Sequence, residues 1–135
     1  MPRLYREAPV NSVWEGSANV IALDVRRVMG RSPEAIEQLR AELARAKGGN
    51  GAFDAFLANL EGELAGATTA EEGLARRLVG RIALGLQAAL LIRHAPAALA
   101  DAFCATRLES GAPAALGTLP AGIDCRAIID RAAIS

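Results

Sequence analysis

Residues 68–94 read TTAEEGLARRLVGRIALGLQAALLIRH. Leu74, Leu78, Ile82, Leu86 and Leu90 recur every four residues, which stacks side chains on successive turns of an α-helix. Gly80, Gly85, Ala88 and Ala89 keep another side small, so a second helix can approach closely. Thr68 and Thr69 each have a glutamate three residues on, Glu71 and Glu72, giving two registers of a capping box at the helix start. Pro96 has no amide proton for a continuing helix, so a kink or a fresh start is expected after His94, running on through Leu99, Phe103 and Leu108. The pattern predicts one long central helix. Its most apolar window, Leu78 to Ile92, is fifteen residues long and contains Arg81 and Gln87. That is too short and too polar to cross a bilayer, so no membrane partner is expected.

Working outward, helical spacing continues in both directions. Ser17 or Asn19 can cap a helix carrying Val20, Leu23 and Val28, flanked by Ile21 and Val25, as far as Gly30. Ser32-Pro33-Glu34 then supplies an N-cap, a pre-set first turn and an acid matched to the helix dipole, leading into Ile36, Leu39, Leu43 and Ala46. Lys47-Gly48-Gly49 ends that helix. Gly48-Gly49-Asn50-Gly51 is the sharpest break in the chain and marks a subdomain junction, followed by a stripe of Phe53, Phe56, Leu57, Leu60 and Leu64. Glu109 to Gly122 reads as irregular, and Asp124 caps a last short helix with Ile128, Ile129 and Ala132. Alanine and leucine dominate, and no stretch alternates apolar with polar residues for long. The expected fold is all-α, a helical bundle.

Composition removes several classes of function. The chain has 135 residues, 52% of them hydrophobic, enough for one buried core. Its 15 basic and 15 acidic residues cancel, with eight basic and nine acidic up to residue 66 and seven and six beyond. Neither part is a basic domain with a field for nucleic acid. Arg76, Arg77 and Arg81 form the one local basic cluster, and a solvated face is the usual meaning of such a cluster. Cys104 and Cys125 are too few for a disulfide framework and lack C-x-x-C spacing, so they read as small packing residues in a reduced, cytoplasmic setting. His94 has no ligand at metal-binding spacing and is expected to cap or lie partly buried, with no metal site. The charged start, Met1-Pro2-Arg3-Leu4-Tyr5-Arg6-Glu7, lacks the apolar stretch of an export signal.

The chemically unusual stretch is Tyr5-Arg6-Glu7-Ala8-Pro9-Val10-Asn11-Ser12-Val13-Trp14-Glu15-Gly16-Ser17-Ala18-Asn19-Val20. Spacing alone makes Glu15 a loop acid near a helix start, and makes Trp14 either a packing residue or a pocket wall. The aromatic-Glu-Gly-Ser turn ahead of a helix resembles the catalytic-base turn of acyl-CoA dehydrogenases. Its tryptophan form, followed by Leu23-Asp24-Val25, is similar to the AidB-like, alkylation-response branch of that family. Ile92-Arg93-His94-Ala95-Pro96, Ala102 to Leu108 and Gly117 to Asp124 are similar to the same branch, so the resemblance covers nearly the whole chain.

The resemblance implies an FAD-dependent oxidoreductase that desaturates an acyl-CoA thioester, with Glu15 as the base for the α-proton. It implies FAD contacts from Gly16, Ser17 and Asn19, and a substrate pocket bordered by Trp14 and Arg27, although an exposed Arg27 fits the spacing nearly as well. Residues 1–47 would end the family's C-terminal helical domain, and residues 50–135 would form the branch's extra helical subdomain. The family's N-terminal helical domain and middle β domain find no counterpart here. The chain is therefore expected to be the C-terminal portion of a longer homo-oligomeric enzyme, inactive and without retained FAD when alone. Two alternatives stay open. One is a DNA-binding module of an alkylation-response protein, the other a non-catalytic helical assembly domain.

Overall fold

The computed structural model describes residues 2–12, 18–66, 72–109 and 119–132. Seven α-helices run through them: α1 (Pro2–Glu7), α2 (Ala18–Arg31), α3 (Pro33–Ala44), α4 (Gly51–Ala65), α5 (Ala75–His94), α6 (Ala97–Arg107) and α7 (Cys125–Ala132). Short 3₁₀ turns cover Ala8–Ser12 and Glu72–Leu74. No strand occurs among the described residues. The protein is the all-α helical bundle that its sequence predicts.

Helix α5 is the axle, packing against α2, α3, α4 and α6. Its buried line is Ala75, Leu78, Ile82, Gly85, Ala88 and Ala89. The every-four leucine stripe does not stay inside, because Leu74 and Leu90 are exposed. Four residues turn an α-helix about 40° past a full circle, so the four steps from Leu74 to Leu90 drift by about 160°. Alternating steps of three and four hold one side to the core. Gly85 sits where α3 and α4 meet this seam: a Cβ there would lie 3.4 Å from Phe56 Cε1 and 3.5 Å from both Leu43 Cδ2 and Leu60 Cδ2. Gly80, expected on the small side, faces open space.

All five apolar residues expected on α4, namely Phe53, Phe56, Leu57, Leu60 and Leu64, are buried. Burying each such side chain contributes about 1.5–3 kcal/mol. Met29, Leu43 and Ala46, from before the glycine-rich break, share one core with these residues and with Leu78, Ile82 and Cys104 from after it. On α2 the expected stripe is displaced: Ala22 and Met29 are buried, while Val20, Ile21 and Val28 are exposed. A single helix contact buries only a narrow strip, and α2 lies against α5 and α3 along that strip.

Caps follow the sequence in part. Pro33 opens α3, but the Ser32 side chain makes no capping bond, and its carbonyl accepts from Ala35 N at 2.9 Å. Asn50, read only as part of a break, is the cap of α4, its Oδ1 accepting from Ala52 N at 3.0 Å and Phe53 N at 3.2 Å. The same amide donates from Nδ2 to Asp101 Oδ1 on α6 at 2.8 Å. Gly48 adopts φ +83°, a left-handed conformation that glycine allows, and its N–H donates to Asp54 Oδ1 at 3.0 Å. A Cβ on Gly49 would overlap the Ile92 side chain. Ala95 is extended, as a residue before proline prefers, and α6 starts anew beyond Pro96. Asp124 caps α7 through Ala127 N at 3.0 Å. Thr68, Thr69 and Glu71 of the expected capping box, and most of the stretch expected to be irregular, lie outside the described residues.

Ion pairs tie the helices laterally. Arg40 bridges α3 to Glu61 of α4 at 2.9 Å, Arg81 of α5 reaches Glu63 of α4 at 2.9 Å, and Arg93 of α5 pairs with Glu42 of α3. Arg45 also holds Glu42, at 3.1 Å. Hydrogen bonding from Arg45, with that from Arg93, pulls the Glu42 carboxyl below its ordinary value against a smaller opposing effect of burial. A carboxyl depressed in the folded state adds stability that is fully present above its unfolded value near 4.5 and is lost as pH falls through the folded value.

Two outcomes are expected. Gly85→Ala stabilises the fold by up to about 1 kcal/mol, because it removes backbone freedom and its methyl just reaches contact, whereas Gly85→Leu costs about 1–3 kcal/mol or more by overpacking. Urea unfolding monitored by circular dichroism distinguishes them. Glu42→Gln lowers the melting temperature at pH 7, and the difference from wild type shrinks as pH is taken down through the acid range. A gap that persists undiminished at pH 2–3 would show that the charge of Glu42 is not what matters.

Candidate functional site

Val13, Trp14, Glu15, Gly16 and Ser17 lie outside the described residues, so the expected base, two of the expected flavin contacts and one pocket wall carry no described geometry. What is described is their frame: a 3₁₀ turn over Ala8–Ser12 on one side and the start of α2 at Ala18 on the other. Asn19 stands exposed in the first turn of α2. Its Oδ1 accepts from Arg76 Nη1 at 2.9 Å, across 57 positions of sequence. The first turns of α2 and α5 therefore lie side by side. Nothing in linear spacing pairs Asn19 with Arg76, which in the sequence groups only with Arg77 and Arg81.

Arg27 is exposed and pairs with Asp24 one turn back. Asp24 in turn borders a cleft of about 390 Å³ between α2, α3 and α5, whose remaining walls are apolar: Ile21, Val25, Val28, Met29, Ala35, Ile36, Leu39 and Ile82. The pairing holds the Arg27 guanidinium beside that cleft. Arg27 lies eight residues after Asn19, about 12 Å along the helix axis. The two residues occupy different levels of α2, one at its head and one beside the apolar cleft.

The basic cluster is largely spoken for within the fold. Arg81 reaches Glu63 at 2.9 Å and lies over the Phe56 ring, 4.4 Å from its centroid, while Arg77 approaches the same glutamate at 3.7 Å. One carboxylate thus offsets part of the charge of two arginines, which leaves the cluster less to offer phosphates. His94 is exposed at the end of α5, where it borders an open groove with Leu90, Leu91, Phe103 and Arg131. Its expected partly buried role does not hold, because Pro96 stops α5 at the surface. No group of three histidine, cysteine or carboxylate side chains able to hold a metal occurs among the described residues. Nor, among them, is any helix long and apolar enough to cross a membrane.

The two cysteines differ sharply. Cys104 is fully buried in α6, and burial, with a smaller push from Asp101, raises its thiol to about 11. Cys125 is exposed at the start of α7.

The chain is similar to part of a longer protein described as an acyl-CoA dehydrogenase of the AidB kind. Over 110 residues, 82% of this chain, it is 36% identical to "Putative acyl-CoA dehydrogenase AidB" of Escherichia coli (strain K12). It spans 20% of that protein's length. No protein-family model matches the chain.

The thiols give a direct check on this geometry. In the native protein at neutral pH a maleimide should label Cys125 and leave Cys104 untouched, with both labelled after denaturation, as mass spectrometry of the peptides would report. Rapid native labelling of Cys104 would mean that α6 is not seated as described.

Proposed function

We propose that this chain is the base-bearing helical part of a flavin-dependent acyl-CoA dehydrogenase, in which Glu15 removes the α-proton of an acyl-CoA thioester. One observation carries the reading: 36% identity to the AidB protein over 82% of this chain, whose sequence includes Trp14-Glu15-Gly16-Ser17. Residues 1–47 bear the chemistry and residues 50–135 brace it. That division is one of role, since Met29 and Leu43 share a core with Phe53 and Leu60.

A free glutamate, with a pKa of ~4.3, is a weak base at neutral pH, so Glu15 needs an apolar enclosure to raise its basicity. Val13 and Trp14 are suited to be walls of it. Gly16 would allow a backbone turn beside the carboxylate, and Ser17 would offer a short hydroxyl close to a helix start, where the first N–H groups have no helical partner. Asn19 suits a cofactor contact: Arg76 engages its oxygen, and its NH₂ group is the donating end. Bound FAD would supply the acceptor for the β-hydrogen, which leaves as hydride. Arg27, beside the apolar cleft, would border the substrate. Taken alone, the chain offers FAD a few hydrogen bonds of ~1 kcal/mol each against an association cost of ~4–15 kcal/mol, so it is not expected to hold the cofactor.

In the flavin-loaded enzyme carrying this segment, Glu15→Gln is expected to leave FAD bound while slowing flavin reduction by acyl-CoA roughly 10²–10⁴-fold, the effect of losing a positioned general base. Stopped-flow absorbance near ~450 nm, a general flavin property, measures this. Reduction at the wild-type rate removes Glu15 from the role.

A further inference from the structure

The hydrogen bond between Arg76 and Asn19 joins two helices at their first turns and engages the oxygen end of the Asn19 amide. From it we infer that Arg76 is a positioning residue: it fixes the orientation of the Asn19 amide so that Asn19 meets the flavin as a hydrogen-bond donor. The inference rests on the reading above, in which Asn19 contacts FAD.

An asparagine amide has an accepting end and a donating end of nearly equal shape, so only its partners decide which way it points. A guanidinium has donors and no acceptor. With Arg76 Nη1 at 2.9 Å from Asn19 Oδ1, the oxygen is held toward α5, and the NH₂ group is the end presented elsewhere. The group that Asn19 serves is then an acceptor, such as a flavin carbonyl oxygen or an unprotonated ring nitrogen. If the amide turned over, its oxygen would face that acceptor and repel it.

The arrangement of charge supports the assignment. Arg77 and Arg81 both approach Glu63, whereas among the described residues Arg76 pairs with no carboxylate. A charged donor strengthens a bond to an amide oxygen and polarises the NH₂ group at the other end. Both side chains are exposed in this chain, so in water the pair contributes little. Under a cofactor that excludes water the same bond gains strength.

The test measures FAD dissociation and the position of the flavin absorption band in the flavin-loaded enzyme carrying this segment. Asn19→Ala is expected to weaken FAD roughly tenfold and shift the band. Asn19→Asp keeps an acceptor for Arg76 but has no NH₂, and it should weaken FAD at least as much. Arg76→Met should weaken FAD about three- to tenfold, add nothing when combined with Asn19→Ala, and be partly rescued by Arg76→Lys, another side chain that only donates. In the 135-residue chain alone, the Asn19 side-chain NH₂ resonances should shift on Arg76→Met and not on Arg77→Met. If Asn19→Ala leaves FAD affinity and the band unchanged, the flavin contact falls and this inference falls with it. If Asn19→Ala matters but Arg76→Met is silent or additive, or the resonances do not move, the positioning role is overturned while the flavin contact stands.

Discussion

One helix must touch four others, and the dimensions of that contact govern the bundle. A helix can admit close neighbours on several sides only where its own side chains are short, and α5 meets the requirement with Gly85, Ala88 and Ala89. Bulk is supplied from the opposite side of the seam, where Phe56, Leu60 and Leu43 converge on the space over Gly85. Large residues on the partners and small ones on the axle form complementary halves of one packing arrangement. This is why the most apolar stretch of the chain is not the one with its largest side chains inward.

The ion pairs act on a different scale. Each is at least partly open to water and so contributes little, and together they cannot rival the buried apolar core. Their value lies in register. Arg40–Glu61, Arg81–Glu63 and Arg93–Glu42 connect three neighbouring helices pairwise, and each is lost if one helix slides by a turn against its neighbour. Asn50 does the same between the start of α4 and α6, serving as cap and crosslink through opposite ends of one amide. Asn19 and Arg76 form a comparable tie at the other two helix starts.

The fold was legible because it is written in short-range periodicity and punctuation. The five apolar residues of α4, the stop at His94 and the Asp124 cap could each be read from residues within a few positions of one another. The failures have physical causes of their own. Exact fourfold spacing looks like a stripe in one dimension but winds around a helix of 3.6 residues per turn, which put Leu74 and Leu90 in solvent. The apolar residues of α2 outnumber what its narrow contact can cover. As for the candidate site, the Trp14-Glu15-Gly16-Ser17 string was recognisable as a string, through resemblance. Arg76 was not, because a partner 57 positions away leaves no mark on local spacing.

The six residues between α3 and α4 also bear on how copies of the chain can associate. Exchange of arms between two copies requires a connecting loop that can straighten into a hinge. Here straightening would take Gly48 out of its left-handed conformation, free its N–H from Asp54, uncap α4 at Asn50 and break the bond to Asp101. Gly49 is wedged against Ile92 at the same place. An exchange of arms hinged at this loop would therefore have to break all of these contacts at once.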